Sequence, residues 1–139
     1  MLPDISTLCL VTGKTVNRFI FEYTGTGWAK AVAAEGDDIY FAGADYGYAA
    51  CWKNGGKINL NASSGSDIYS IALHGGILFL CGENYGKACF WVNDKYYPLE
   101  VSNVSVTQSR AHSVTVDNDS LDFYISGWYQ AGGNNYACY

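Results

Sequence analysis

Six aromatic side chains are the residues of this chain best suited to holding a ligand: Trp28, Tyr46, Tyr48, Tyr85, Trp128 and Tyr129. Each lies close to a glycine, and Asp45, Glu83, Asn84, Gln130, Asn134 and Asn135 are their neighbours in sequence. Flat aromatic faces stack on sugar rings or grip a protein partner, and adjacent amides and carboxylates supply hydrogen bonds to what is held. The competing use of such rings is to wedge between packed sheets, the role expected of Trp52 and Trp91.

Other chemistries find less support. His74 sits in a glycine-rich turn and His112 at the start of a strand, and the chain has no Gly-x-Ser-x-Gly elbow. Carboxylates gather at Glu35-Gly36-Asp37-Asp38 and at Asp117-Asn118-Asp119-Ser120-Leu121-Asp122. Hard oxygens in that pattern could ligate calcium. Both clusters occupy the same turn of the pattern described below, where Asp and Asn are favoured for backbone reasons. No acidic pair stands on the opposite rim to make a glycosidase cleft. The five cysteines, Cys9, Cys51, Cys81, Cys89 and Cys138, are odd in number and lack CxxC spacing. They share alignment columns with Ala and Ser, so they read as small buried hydrophobes with free thiols. The expectation is therefore no catalytic residue, no metal and no cofactor.

The elements that would position the aromatics follow from a recurrence. Val32-Ala33-Ala34 aligns with Ile71-Ala72-Leu73 and Val114-Thr115-Val116. Ile39-Tyr40-Phe41-Ala42-Gly43 aligns with Leu78-Phe79-Leu80-Cys81-Gly82 and Phe123-Tyr124-Ile125-Ser126-Gly127, and Trp52 with Trp91. The glycine column advances by 39 and then 45 residues, a period that marks a repeat architecture. Each unit reads as four short strands. In the middle unit these are residues 68–73, 77–81, 87–92 and 95–101, with residues 82–86 read as a loop. Asn54-Gly55 is the strongest turn signal, favouring positive φ between the third and fourth strands. No helical period persists.

In the first strand, Ala31/Ser70/Ser113 and Ala33/Ala72/Thr115 stay small while Val32/Ile71/Val114 stay apolar. That restriction on both faces suits a crowded centre where sheets converge, so enlarging Ala33 or Ala72 should be costly. Val32, Ile71, Val114, Phe41, Leu80 and Ile125 are the expected core. Radial repetition of four-stranded sheets supplies such a centre, and the fold class expected is an all-β, propeller-like one. A β-sandwich also uses many short strands but does not require columns to recur at this period. The run Ala50-Cys51-Trp52-Lys53-Asn54-Gly55, echoed by Ala88-Cys89-Phe90-Trp91-Val92-Asn93, resembles repeats of uncharacterised bacterial β-propeller-like proteins. The likeness covers about residues 28–139 and implies a fold rather than an activity.

The 139 residues form one repeat domain with units of about 28–66, 67–109 and 110–139. The last unit lacks its fourth strand. Residues 7–23 read as a third and a fourth strand, with Cys9 in the cysteine column, and are expected to complete it. That makes about three blades, whereas closed propellers have four to eight. Two copies would give about six, so a homo-oligomer, simplest as a dimer, is expected. In such an arrangement the loops between second and third strands and between consecutive units share one rim, and the six aromatics fall there.

Charge and hydropathy narrow the partners. The net charge is −5 and only 15% of residues are charged. Nucleic acid requires a basic face, and no apolar run approaches a membrane span. The functional expectation is a non-enzymatic binding module with an aromatic rim, glycan being the ligand class it suits. The alternative is a protein–protein scaffold or assembly protein with no small-molecule site.

Overall fold

The structure is a computed structural model that describes the backbone of residues 6–12 and 15–21 and all of residues 27–139. Strands are the only long regular elements among the described residues. β1 (Ser6–Thr12) and β2 (Thr15–Phe21) pair with each other as a two-stranded sheet. A first four-stranded sheet follows: β3 (Gly27–Glu35), β4 (Asp38–Asp45), β5 (Tyr48–Lys53) and β6 (Gly56–Ile58). The second comprises β7 (Ser66–His74), β8 (Ile77–Asn84), β9 (Lys87–Val92) and β10 (Lys95–Pro98). The third has three strands, β11 (Gln108–Val116), β12 (Phe123–Ala131) and β13 (Asn134–Cys138). Each sheet is an antiparallel meander in chain order, so each first strand is an edge.

Within the segment expected to complete the last unit, the described strands are β1 and β2. They pair with each other, and β13 is the last strand of its sheet among the described residues. The side chain of Cys9 lies outside the described residues.

The aligned columns occupy matching places in the three sheets. Phe41 pairs with Val32, Leu80 with Ile71 and Ile125 with Val114. Tight turns hold the hairpins together. Tyr46-Gly47, Tyr85-Gly86, Asn54-Gly55, Gly75-Gly76 and Gly132-Gly133 all have two successive positive φ angles. This conformation matches the right-handed twist of the flanking strands. It also corrects the expected loop at residues 82–86. The turn takes only two residues, so Glu83 and Asn84 belong to β8, and Trp128 and Tyr129 lie within β12.

The sheets stack face to face. Tyr40, Ala42, Cys51 and Leu60 of the first unit pack against Ile68, Leu80, Cys89 and Trp91 of the second. The opposite face of the second sheet, with Phe79, Cys81 and Ala88, packs on Ala111, Val114, Phe123 and Ile125 of the third. Serines tie neighbouring sheets. The Ala49 N–H donates to Ser66 Oγ (2.8 Å), and the Ala88 N–H donates to Ser109 Oγ at the same distance. Each bond satisfies an amide that would otherwise be stranded in a buried interface.

Of the expected core, Phe41, Leu80 and Val114 are buried, and Ile71 and Ile125 are half-buried. Val32 is the exception, at 53% exposed. Its column faces the preceding sheet in the stack at Ile71 and Val114; on the same face of the first sheet Phe41, Ala50 and Trp52 are buried, so the exposure is local to Val32. Ala33 and Ala72 are half-buried.

Cys51, Cys81 and Cys89 are buried, Cys138 is half-buried, and all four are free thiols. Burial pushes the first three up to about 12. A thiol that stays protonated inside a sheet stack is a poor nucleophile. Cys51, Cys81 and Cys89 should therefore resist a thiol reagent at pH 8 in the native protein and react at once in denaturant. Rapid reaction of any of these three in the native protein would contradict this packing.

Candidate functional site

A β-bulge recurs at the same place in all three first strands. The register slips between Ala29 and Ala31, between Ile68 and Ser70, and between Ala111 and Ser113. The extra residues are Lys30, Tyr69 and His112. A bulge re-aims its side chain and bends the strand locally. It also explains the glycine column. A Cβ on Gly43, Gly82 or Gly127 would overlap the backbone carbonyl oxygen of Trp28, Asp67 or Arg110, respectively.

The re-aimed side chains build a ladder across the three sheets. Lys30 Nζ lies 5.4 Å from the centre of the Trp28 ring and 4.0 Å from that of Tyr69. The Arg110 guanidinium lies 4.9 Å from Tyr69 and 5.9 Å from Trp128. Rings and cations therefore alternate as Trp28, Lys30, Tyr69, Arg110 and Trp128. Each cation bridges two sheets and gains from the quadrupoles of the rings beside it. Carboxylates of the middle sheet hold both cations. Lys30 pairs with Asp67 at 2.5 Å, and Arg110 donates twice to Glu83 at 2.9 and 3.1 Å. Trp28 Nε1 donates to Asp67 (3.1 Å), and the Tyr69 hydroxyl donates to Glu83 (3.0 Å). His112 accepts from Trp128 Nε1 at 3.1 Å, so its Nε2 carries no proton in this arrangement.

Burial, then the hydrogen bond to Glu83, pushes the Tyr69 hydroxyl up to about 12. The fold thus prefers the neutral phenol. That contribution to stability is complete below about pH 10 and is lost as the pH rises towards 12. Glu83→Gln removes the charge that holds Arg110 and raises Tyr69. It should cost about 1 kcal/mol, allowing for solvent screening at a guanidinium that is one-third exposed. The Tyr69 phenolate should then form at lower pH, read as the absorbance difference against a Tyr69→Phe control. An unchanged titration and unchanged melting would remove Glu83 from the ladder.

The six aromatics expected at the rim divide between settings. Trp28 and Trp128 end the ladder, with Trp28 50% exposed. Tyr46 and Tyr85 occupy the tips of equivalent hairpins at φ 55 and 49, and are 57% and 69% exposed. Tyr48 begins β5 beside a shallow cavity of about 340 Å³. Tyr129 stacks on Tyr136 at 5.2 Å. Backbone bonds hold the hairpin tips to the starts of the next first strands: Gly65 N–H donates to Gly47 O (2.7 Å) and Ser109 N–H to Gly86 O (2.9 Å). Tips and ladder therefore share one end of the stack.

Lys30, Tyr69 and His112 fall in one alignment column, immediately before Ala31, Ser70 and Ser113, to which the sequence alone assigns no role; Asp67 and Arg110 also escape a reading of the sequence. The available signal was that column itself, polar and bulky within otherwise small and apolar strands.

The other candidates have local partners. His74 Nδ1 lies 2.9 Å from Asn118 Oδ1. Glu35 accepts from the Gly75 and Gly76 amides at 2.8 and 2.7 Å. Asp117 accepts from the Asp119 amide (2.9 Å), which holds its carboxyl below the usual range, and Asp38 pairs with Lys53 at 2.8 Å. Among the described residues, no group of three or more His, Cys, Asp or Glu side chains could hold a metal ion.

Comparison of the chain with family models, curated proteins and solved structures returned no match.

Proposed function

We propose that this chain is a non-enzymatic binding module whose ligand meets the aromatic end of the stack, with glycan as the ligand class. The observation that carries the reading is the pair of tyrosines at positive φ. A bulky residue is disfavoured there, and Asn or Gly would serve the turn better. Tyr46 and Tyr85 accept that cost in equivalent hairpins, and more than half of each residue is exposed. Backbone strain at an exposed aromatic points to a use outside folding. The ladder beneath would act as the rigid support, its charges already engaged with one another and so poorly placed for acid–base chemistry. A printed glycan array probed with the wild-type protein is the direct test. Selective retention on a set of glycans is expected, and no retention on any glycan would remove this ligand class.

In the same reading the three stacked sheets are blades of a propeller-type arrangement, with β3, β7 and β11 innermost, and two copies close the ring at about six blades. A second function, assembly or scaffolding through self-association, is favoured by the ends of the stack. Val32 is 53% and Tyr124 is 56% exposed, whereas the residues in their columns elsewhere pack against a neighbouring sheet.

A further inference from the structure

Two cavities recur at the same place in successive units. The first, of about 340 Å³, is lined by Tyr48, Ala49, Lys57 and Leu60. The second, of about 500 Å³, is lined by Lys87, Ala88, Tyr96 and Leu99. Each residue of the second set stands 39 positions after its counterpart, the advance of the glycine column between the same two units. Both cavities are built on the third and fourth strands of a sheet and on the connection to the next sheet. Their volumes fall in the range of about 300–1,000 Å³ usual for small-molecule sites.

The lining keeps its chemistry while exchanging its positions. The first cavity has a tyrosine on the third strand and a lysine on the fourth, whereas the second has the lysine on the third and the tyrosine on the fourth. The alanine and the leucine stay in place. The fold therefore asks for neither ring nor cation at either position. What both units retain is the pair, one aromatic face and one ammonium in the same cavity.

Charge is balanced in each. Lys57 Nζ pairs at 2.7 Å with Asp45, which is buried. Lys87 Nζ donates to the Val106 carbonyl and, at 3.0 Å, to that of Thr107, and Glu100 lines the same cavity. An ammonium has three protons to donate, so each lysine keeps at least one for a further acceptor. Tyr48 and Tyr96 are both exposed. The Tyr96 hydroxyl accepts from Asn84 Nδ2 at 3.4 Å, which leaves its own proton to donate.

We propose, resting on the glycan reading above, that these cavities are two equivalent subsites for uncharged sugar residues, so that one neutral glycan chain is held at two points. In each, the tyrosine ring stacks on the apolar face of a pyranose and the ammonium donates to its hydroxyl oxygens. Tyr46 and Tyr85 stand two residues before Tyr48 and Lys87, so an exposed hairpin tip adjoins each subsite along the chain. Sheets packed face to face lie about 10 Å apart, close enough for one run of linked sugars to reach both. Two linked contacts hold a repeating glycan far more tightly than either holds a single sugar.

The test uses the intact chain, with methyl glycosides of neutral hexoses and N-acetylhexosamines as single-sugar probes followed through backbone amide NMR shifts. At least one neutral glycoside should shift two separate groups of signals, Tyr48 with Lys57 and Lys87 with Tyr96. The methyl glycosides of glucuronic and sialic acid should bind at least tenfold more weakly. Tyr48→Ala should erase the first group and leave the second, and Tyr96→Ala should do the reverse. The Tyr96 ring also packs edge-on against Trp91 at 5.6 Å, so Tyr96→Ala could fold poorly. The wild-type shifts and Tyr48→Ala stand independently of it. On the glycan array, Tyr48→Ala should lower retention of neutral glycans at least tenfold. Array retention without shifts in both groups would overturn the two subsites and leave the glycan reading standing. So would tighter binding of the acidic glycosides. No retention of any glycan would remove the reading and the subsites together.

Discussion

Gly82→Ala should destabilise the protein by about 3 kcal/mol or more, a large share of the stability of a domain this size. The reason is contact rather than backbone conformation. Gly82 lacks the positive φ that favours glycine, but a Cβ there would overlap the Asp67 carbonyl oxygen and stand 2.9 Å from its carbonyl carbon and 3.0 Å from the Ile68 Cα. All three atoms are backbone, fixed by the bulge at Tyr69, so no side chain can swing away. The same substitution at Gly76 is a matched control. Its φ is +76 and nothing lies within 4 Å, so the cost is conformational only, about 1 kcal/mol. Urea unfolding of both variants separates the two causes. Equal midpoints for the two would mean that the bulge carbonyl does not cover Gly82. Loss of Gly82 should also disturb Asp67 and Glu83, and through them both cations of the ladder.

Under the proposed closure the protein should not persist as a folded monomer. Light scattering at micromolar concentration should give twice the chain mass of 15.1 kDa. The argument rests on the two ends of the stack. Tyr124 stands where Tyr40 and Phe79 are buried against the next sheet, and Val32 stands where Val114 is buried against the preceding one. Val32 and Tyr124, exposed in columns that pack against a neighbour elsewhere, leave apolar and aromatic surface in water that self-association would bury. Subunit contacts would then belong to the core, so the unfolding midpoint should rise with protein concentration. Tyr124→Glu should shift the protein to monomer and abolish that dependence. A compact wild-type monomer whose cooperative unfolding is independent of concentration would rule out the closure.

Much of this architecture was legible in the residues. Recurring apolar columns place Phe41, Leu80 and Val114 in the core, and Asn54-Gly55 marks a turn whose φ angles are 50 and 90. Cysteines exchanging with Ala and Ser mark small buried sites. What stayed hidden has physical reasons. A β-bulge is a difference in register between two strands and leaves no mark in either one alone, so the glycine column could be seen without its cause. Glu83 and Asn84 are polar and read as loop, yet a two-residue turn lets β8 run through them. Column membership tells which face Val32 occupies but not whether a neighbour covers that face. Trp28 and Trp128 were legible as rim aromatics, but the engagement of Trp28 with Asp67 depends on how sheets stack, and that of Trp128 with His112 on the bulge between β11 and β12. No spacing along the chain encodes that.

The paired substitution Tyr46→Asn with Tyr85→Asn tests the central claim most directly, with stability and ligand retention measured on the same protein. Asn accepts the left-handed conformation more readily than tyrosine, so each turn should gain up to about 1 kcal/mol. The interactions each ring gives up, that of the Tyr85 ring beside Gly65 and that of Tyr46 with its own neighbours, offset part of that gain. The account predicts a variant that melts at or above the wild-type temperature and has lost retention on the glycan array. A variant that melts lower and binds as the wild type does would show that the two tyrosines serve the fold, and would contradict the binding role assigned to them.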